Sequence, residues 1–258
     1  MSQAPLVEMR HIYKSFGGIH AVENVSISVA AGEVLGILGH NGAGKSTLIK
    51  ILSGAYQMDR GEILIEGKSV SIDSPRDARR YGIETLYQTL ALADNLDSVA
   101  NLFLGREMLT SLGTLDRATM EQRTREVIAR INPRLTKIKD PVLRLSGGQR
   151  QSIAIARALH FNAKILILDE PTAALGHRES AMFKELVLRL KSEGIGMIMI
   201  SHDLHDVFEM SDRITVMTNG RQVGTRRTSE VTKDQVLGMI ILGTQPGEET
   251  AEDLAKLH

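Results

Sequence analysis

One segment of the chain combines small residues with a lysine and two hydroxyl side chains at a spacing suited to binding phosphate. It matches the P-loop pattern G-x-x-x-x-G-K-[ST] and consists of Gly39, His40, Asn41, Gly42, Ala43, Gly44, Lys45, Ser46 and Thr47. Glycines allow a tight turn whose N–H groups converge on one point, and a following helix adds its positive end. Lys45 is expected to contact the β- and γ-phosphates of a nucleotide, and the Ser46 hydroxyl to ligate Mg²⁺.

Two acidic residues follow an apolar run further along the chain. Asp169 and Glu170 come directly after residues 165–168, which are all aliphatic. A carboxylate at the end of a buried strand beside a P-loop can hold Mg²⁺ through its water shell, and we assign this role to Asp169. Glu170 is then placed to polarise an attacking water. Two acids alone are common in surface loops, so it is the P-loop that favours the chemical interpretation.

A second segment of small residues indicates a second anion site. Ser146 is a predicted N-cap, and the N–H groups that follow it are expected to point towards an anion. The segment comprises Ser146, Gly147, Gly148 and Gln149. Because the chain has one P-loop, the second site indicates a nucleotide held by another subunit. A plain linker is the alternative for a Ser-Gly-Gly sequence taken alone.

The distribution of apolar residues predicts an α/β fold. Uninterrupted apolar runs at 34–38, 165–168 and 197–200 predict strands that are covered on both faces, as in a parallel sheet. Helices are predicted at about 45–53 and 178–191. Because strand, helix and strand follow one another, the strands are expected to pair in parallel. The P-loop and the acid pair therefore each follow a strand of this sheet.

Two other regions differ from this core. Alternation of apolar and polar residues at 6–12, 25–29 and 63–65 predicts an antiparallel sheet near the N-terminus. Residues from about 89 to 162 have a mostly helical pattern, and we interpret them as an insertion in the core. One domain is therefore predicted for residues 1–243, followed at 244–258 by an acidic tail that we expect to be mobile.

The composition excludes several classes of protein. Basic and acidic residues number 31 each, so there is no strong positive field for nucleic acid. Cysteine is absent, which excludes a disulfide framework and a cysteine zinc site. Glu8 and Arg10 interrupt the start of the chain before a signal peptide can form, and no run reaches the roughly 18 apolar residues of a membrane span. We therefore expect any membrane association to depend on a partner.

The order of these motifs resembles that of the ATP-binding cassette family. The P-loop, residues 145–149, the Asp169–Glu170 pair and then His202 follow one another as in that family, over nearly the whole chain. The resemblance implies a P-loop NTPase core of ABC type with an N-terminal antiparallel β-subdomain and an inserted α-helical subdomain. It implies ATP and Mg²⁺ as ligands. It also implies that two cassettes, here expected to be identical, pair head to tail around two ATP.

The same resemblance assigns roles to two residues near the predicted subdomain boundaries. Phe16 occupies the position of an aromatic residue that stacks on adenine, with Tyr13 as the second choice and a core aromatic as the structural alternative. Gln88 matches a glutamine that senses Mg²⁺ and the attacking water and contacts the membrane partner. It is therefore expected to serve both the metal, with Ser46 and Asp169, and catalysis.

Two further positions carry information about hydrolysis. His202 matches the family histidine that contacts the γ-phosphate, which completes an expected catalytic set of Glu170, His202, Gln88 and Lys45. Gly176 departs from the family pattern, because an aspartate that helps to couple the two subunits is usual there. Glycine offers no side-chain acceptor, so communication between subunits is expected to be weaker or to use the backbone.

Residues 86–96 and 101–107 resemble the ATPases of bacterial monosaccharide importers of the ribose, xylose and fructose type. This resemblance implies an ATPase at the cytoplasmic face of the inner membrane that drives a permease, which a substrate-binding protein supplies. A soluble cassette ATPase acting on DNA or ribosomes is one alternative, and a regulatory module that only holds nucleotide is another. Neutral charge argues against the first, and intact Lys45, Asp169 and Glu170 argue against the second.

Overall fold

The structure is a computed structural model that describes residues 4–87, 90–173 and 175–247. Its strands, in chain order, are β1 (Val7–Phe16), β2 (Ile19–Val29), β3 (Val34–Leu38), β4 (Arg60–Ile65), β5 (Lys68–Val70), β6 (Ile83–Leu86), β7 (Ile165–Asp169), β8 (Gly196–Ile200), β9 (Arg213–Thr218) and β10 (Arg221–Arg227). Its α-helices are α1 (Lys45–Leu52), α2 (Pro75–Arg80), α3 (Ser98–Phe103), α4 (Arg117–Ile131), α5 (Gly147–His160), α6 (His177–Ser192), α7 (Leu204–Met210) and α8 (Lys233–Leu242).

Within the described residues the strands form two sheets. A four-stranded sheet has the order β2-β1-β4-β5, and its neighbouring strands are antiparallel. A six-stranded sheet has the order β10-β9-β3-β8-β7-β6 and is parallel except for β10, which pairs antiparallel with β9. The predicted α/β fold with an N-terminal antiparallel sheet is therefore confirmed. The domain limits remain a prediction.

The central strands separate two hydrophobic cores. Every residue of β3 and β8 is buried. Successive side chains of a strand point to opposite faces, and accordingly Val34 and Leu38 belong to one core while Leu35 and Ile37 belong to the other. The first core packs against α5 and α6, and the second against α1 and the antiparallel sheet. Coverage of both faces explains why these strands are apolar throughout.

The glycine in the middle of β3 permits close packing of α7 on this sheet. A Cβ at Gly36 would lie 2.5 Å from Cγ1 of Val207 and 2.9 Å from Oγ of Ser211. Real side chains do not approach so closely, so a larger residue would displace α7 from the sheet. Because α7 begins just after the end of β8, this packing also fixes the position of the loop between them.

The central part of the chain is mainly helical, as its pattern predicted. The helices α3, α4 and α5 pack together there, followed along the chain by β7. One feature was not predicted: an isolated bridge between Leu109 and Leu115 closes a short hairpin before α4. Among the described residues, no helix combines the length and the apolar character that crossing a membrane requires. Gln88 and the tail beyond residue 247 lie outside the described residues.

One buried polar side chain organises the entry into this helical part. Asn101 has no exposed surface. Its amide nitrogen donates to the carbonyls of Ala93, Leu96 and Asp97 at 3.0, 3.2 and 3.0 Å, and its Oδ1 accepts from the Ala93 N–H at 2.7 Å. Asn101 is thus the acceptor of the Ala93 N–H, and it adds a second donor to three carbonyls that also accept from backbone N–H groups.

We expect Asn101→Ala to destabilise the protein by about 2–4 kcal/mol, because it removes the hydrogen bonds of a fully buried side chain and leaves the Ala93 N–H without its acceptor. The measurement is the free energy of unfolding from denaturant titration. The matched control is Asn95→Ala in the same segment, where the side chain is exposed and a change within about 0.5 kcal/mol is expected. Equal unfolding midpoints for the two variants would contradict this role of Asn101.

Candidate active site

The register of the parallel sheet brings three loops to one edge. Ile37 of β3 lies beside Ile200 of β8, and Ile200 lies beside Asp169 of β7. Because these strands are parallel, their carboxyl ends meet at the same edge, where α/β sheets bind ligands. The P-loop follows β3, Glu170 follows β7 and His202 follows β8. Three motifs far apart in sequence are therefore neighbours in space.

The P-loop backbone lies tightly against its surroundings. Gly39 has φ +152°, and a Cβ there would lie 2.1 Å from the Met217 carbonyl oxygen. Gly44 has φ +96°, and a Cβ there would lie 2.3 Å from the Ala21 carbonyl oxygen. Both positions therefore require glycine for the backbone conformation and for space. Helix α1 begins at Lys45, so its free N–H groups face the loop.

An open cavity of about 430 Å³ lies over this loop. Residues 41–47 form one side of it, and β2 and the β9–β10 turn contribute Ile19, His20, Ala21 and Asn219. His40 is exposed next to this cavity, and Gly39 comes directly before His40 in the chain. The contributions from β2 and Asn219 were not predicted, because sheet pairing rather than a local motif brings them here.

The Lys45 side chain is buried within the loop. Its Nζ donates to the carbonyls of Gly39 at 2.6 Å and His40 at 3.0 Å. Burial lowers the pKa of Lys45 from its ordinary value, while the charges of Glu170 and then Asp169 act in the opposite direction. Backbone carbonyls thus hold the ammonium group, and the charges of Glu170 and Asp169 stabilise its protonated form.

Asp169 and Glu170 have different environments although they are adjacent. Burial raises the pKa of Asp169 above its ordinary value, the Glu170 charge adds to this, and Lys50 and Lys45 oppose it. Glu170 has φ +49°, a strained conformation for a residue with a side chain, and its N–H donates to the Ile200 carbonyl at 2.9 Å. Strain of this kind is concentrated at functional sites.

A direct contact joins the loops after β7 and β8. Nδ1 of His202 lies 2.7 Å from Oε2 of Glu170. Because an ionised carboxylate only accepts hydrogen bonds, Nδ1 carries the proton in this contact and Nε2 faces away from it. The His202 side chain is 74% exposed, so its other nitrogen is open to a ligand. The sequence predicted both residues but not their contact, which no local pattern signals.

The small-residue segment before α5 has the predicted N-cap geometry. The Ser146 hydroxyl accepts from the Gln149 N–H at 3.3 Å, and the Ser146 N–H donates to Oε1 of Gln149 at 3.0 Å, which closes a capping box. Gly147 and Gly148 form the first turn of α5. This segment does not line the cavity over the P-loop as the structure describes it. The two predicted anion sites are therefore separate within one chain.

The aromatic candidates lie at the end of the antiparallel sheet. Phe16 ends β1 and is 44% exposed as a residue, and its ring contacts the Tyr56 ring edge-on with centroids 5.2 Å apart. Tyr13 lies further inside the same strand, opposite Arg60 of β4. Exposure favours Phe16 over Tyr13 for a stacking role, which remains a prediction. Gln88 lies outside the described residues, so its predicted position was not tested.

Two residues that fix the loop after β7 were missed by the sequence analysis. Nε2 of Gln151 donates to the Pro171 carbonyl at 2.9 Å. The Glu179 carboxylate accepts from the N–H groups of Gly148 and Gly176, each at 3.3 Å. Glu179 lies three residues after Gly176, but glycine has no hydroxyl, so only the glutamate half of a capping box could be recognised in the sequence. Gln151 gives no such signal, because its partner is distant in sequence.

Sequence comparison finds relatives among sugar import proteins. The chain is 45% identical to the ribose import ATP-binding protein RbsA of Yersinia pestis over 241 residues, covering 93% of this chain and 47% of that protein. It is 42% identical to the xylose/arabinose import ATP-binding protein XylG of Sulfolobus acidocaldarius over 231 residues, covering 90% of this chain and 92% of that protein. The chain thus spans about half the length of the ribose import relatives.

Solved structures share the fold over most of the chain. An ATP-binding cassette in its ADP conformation aligns with a TM-score of 0.76 and 26% identity, covering 97% of this chain and 98% of that one. A nucleotide-free cassette from an ABC transporter aligns with a TM-score of 0.74 and 29% identity, covering 86% and 91%. The family model described as ABC transporter matches residues 22–173. The chain therefore belongs to the ABC transporter family.

Proposed function

We propose that this chain binds and hydrolyses ATP and thereby drives a permease that imports a monosaccharide. The observation that carries the proposal is the arrangement of Lys45, Glu170 and His202, which lie on adjacent loops at one edge of the parallel sheet. Relatives named as ribose and xylose/arabinose import ATP-binding proteins support the direction of transport and the class of solute.

The site suits hydrolysis of a terminal phosphoanhydride. In the proposed reaction the N–H groups of the P-loop and the Lys45 ammonium hold the β- and γ-phosphates, which places the γ-phosphorus near Glu170. A water oxygen bonds to that phosphorus, the bond to the β–γ bridging oxygen breaks, and ADP leaves. Glu170 accepts the proton of the water, and His202 holds the Glu170 carboxylate through Nδ1.

The residues present fit a magnesium ion. Mg²⁺ prefers oxygen ligands and keeps several waters. Asp169 supplies a carboxylate whose pKa is raised chiefly by burial, a situation that a bound cation would relieve. Ser46, exposed in the first turn of α1, supplies a hydroxyl, and Gln88 is the third proposed ligand. When bound, the ion would neutralise charge on the phosphates and orient them.

The proposed assembly contains two cassettes and a permease. The separation of the Ser146–Gln149 segment from the P-loop cavity supports pairing with a second copy, whose segment would close over the nucleotide. Each chain then contributes its P-loop to one nucleotide site and its Ser146–Gln149 segment, here called the half-site, to the other. A permease would hold the pair at the cytoplasmic face of the inner membrane, and a substrate-binding protein would deliver the sugar. Phe16 is the proposed adenine contact.

We expect Lys45→Ala to reduce ATP hydrolysis at least about 100-fold, because it removes the positive charge beside the transferred phosphate. The measurement is phosphate release per folded protein at saturating ATP and Mg²⁺. Lys164→Ala is the control, because its ammonium pairs with Glu66 at the surface and its loss should leave the rate unchanged. Retained hydrolysis in the Lys45 variant would refute the site.

We expect Glu170→Gln to slow hydrolysis about 100-fold or more while ATP binding is retained, because an amide cannot accept the proton. Single-turnover kinetics and equilibrium binding of labelled ATP separate the two effects. Glu185→Gln provides the control, since Glu185 is exposed on α6. A Glu170→Gln rate close to that of the control would exclude Glu170 as the base.

The transport proposal is tested by purifying the tagged chain from gently solubilised membranes of its own cell and identifying the proteins that accompany it. We expect a polytopic permease together with a periplasmic-type sugar-binding protein. An untagged strain serves as the control for proteins that bind the resin. Consistent recovery of ribosomal or DNA-bound partners in place of a permease would overturn transport and leave ATP hydrolysis standing.

A further inference from the structure

The Glu179 carboxylate lies between two helix starts. It is the third residue of α6, and its Oε2 accepts from the Gly176 N–H at 3.3 Å, where that helix begins. Its Oε1 reaches across to α5 and accepts from the Gly148 N–H, also at 3.3 Å. Each oxygen thus satisfies a backbone donor that has no partner within its own helix. One side chain thereby links α5 to α6.

The electrostatic setting stabilises the ionised form of this side chain. Hydrogen bonds lower the pKa of Glu179 below its ordinary value. The largest effect comes from the Ser146 hydroxyl, and smaller effects come from the N–H groups of Gly148 and Gly176. The positive ends of two helix dipoles act in the same direction. Glu179 is therefore a carboxylate at neutral pH, and it holds the segment at Ser146 by charge as well as by hydrogen bonding.

Two neighbouring features make this link close. A Cβ at Gly148 would lie 3.3 Å from Cγ and 3.4 Å from Cβ of Glu179. The absence of a side chain at Gly148 therefore lets the Glu179 side chain lie directly against the α5 backbone. One turn further along α5, Gln151 donates to the Pro171 carbonyl at 2.9 Å. The start of α5 is thus joined at two points to the chain that follows Glu170.

Gly176 increases the dependence on Glu179. It is the N-cap residue of α6 and forms no side-chain cap, whereas Ser146 caps α5 and Thr232 caps α8 with their hydroxyls. The carboxylate of Glu179 is the side-chain acceptor that reaches the Gly176 N–H. The same carboxylate thereby fixes the start of α6 and the Ser146–Gln149 segment.

We propose that Glu179 is a positioning residue that fixes the Ser146–Gln149 segment on the loop that follows Glu170. The inference rests on the proposed function, in which this segment contacts the nucleotide of a second cassette. The half-site that each chain offers to its partner is then held in place by the loop that carries its own Glu170. Loss of the link should weaken nucleotide-driven pairing without affecting binding at the P-loop of the same chain.

The test uses Glu179→Gln, which separates the link from the cap. Glutamine already closes the capping boxes of α5 and α8, at Gln149 and Gln235, so the variant should keep the start of α6. Gly148 and Gly176 donate to different oxygens of the carboxylate, and an amide replaces one of these oxygens with an NH2 group that cannot accept, so one of the two N–H groups loses its acceptor. We expect pairing in a non-hydrolysable ATP analogue with Mg²⁺ to weaken about fivefold to tenfold, measured by sedimentation velocity over a range of protein concentrations.

Two measurements distinguish positioning from structural damage. Binding of a fluorescent nucleotide to the unpaired chain, at high dilution, should stay within about twofold of the original chain because the P-loop is unchanged. Gln235→Ala is the matched control, since it removes the same kind of capping interaction from α8, where the cap involves Thr232 only. This control should pair and bind as the original chain does.

The outcomes are decisive. Unaltered pairing in Glu179→Gln would overturn the inference, and so would an equal loss of pairing and of P-loop binding. An original chain that hydrolyses ATP but does not pair with the analogue also overturns the inference and leaves the proposed ATPase function standing. An original chain that pairs but does not hydrolyse ATP removes the proposed function, while the comparison of pairing in the variant still decides the role of Glu179.

Discussion

The parallel pairing of β3, β8 and β7 determines where the loops that carry the P-loop, Glu170 and His202 begin. Ile37, Ile200 and Asp169 lie side by side across the three strands, so the loops that follow them start at one edge. The two cores hold this register, because alternate side chains of each strand enter opposite cores. A slip by one residue would exchange the two sets of side chains and separate the P-loop from Glu170.

This arrangement places the buried charges of Lys45 and Asp169 near groups of opposite charge. Burial disfavours the charged forms of both Lys45 and Asp169, and the opposite charges at the site reduce that cost. Lys45 also gains two carbonyl acceptors. Negative phosphate oxygens beside Lys45 would stabilise its buried ammonium group further. A cation beside Asp169 would in the same way stabilise its buried carboxylate. The site is therefore suited to an anion and a cation together.

The sequence predicted those parts of the molecule whose structure depends on residues close together in the chain. The P-loop, the strands beside it and the starts of α1 and α5 follow from apolar runs, glycines and the capping signal at Ser146, each within a few residues of the observed limits. The prediction omitted β5, β6, β9, β10, α2, α7 and α8. In β10 every residue is partly exposed, so alternation is weak, and α8 carries apolar residues on most of its surface. The Glu170–His202 contact depends on strand pairing, which a single motif does not specify.

The loop after β7 contacts the end of β8, the loop that carries His202, helix α7 and the start of α5. At its start Glu170 is held by the Ile200 carbonyl and by His202, and the Thr172 hydroxyl donates to Asp206 of α7 at 2.5 Å. Gln151 of α5 donates to the Pro171 carbonyl next to Glu170, and at the other end of the loop Glu179 accepts from the N–H groups of Gly176 and of Gly148 in α5. The loop is therefore held to α7 near its start and to α5 at both of its ends. The link between this loop and the start of α5 therefore runs through backbone N–H groups and the Glu179 carboxylate, and Gly176 takes part in it without a side chain.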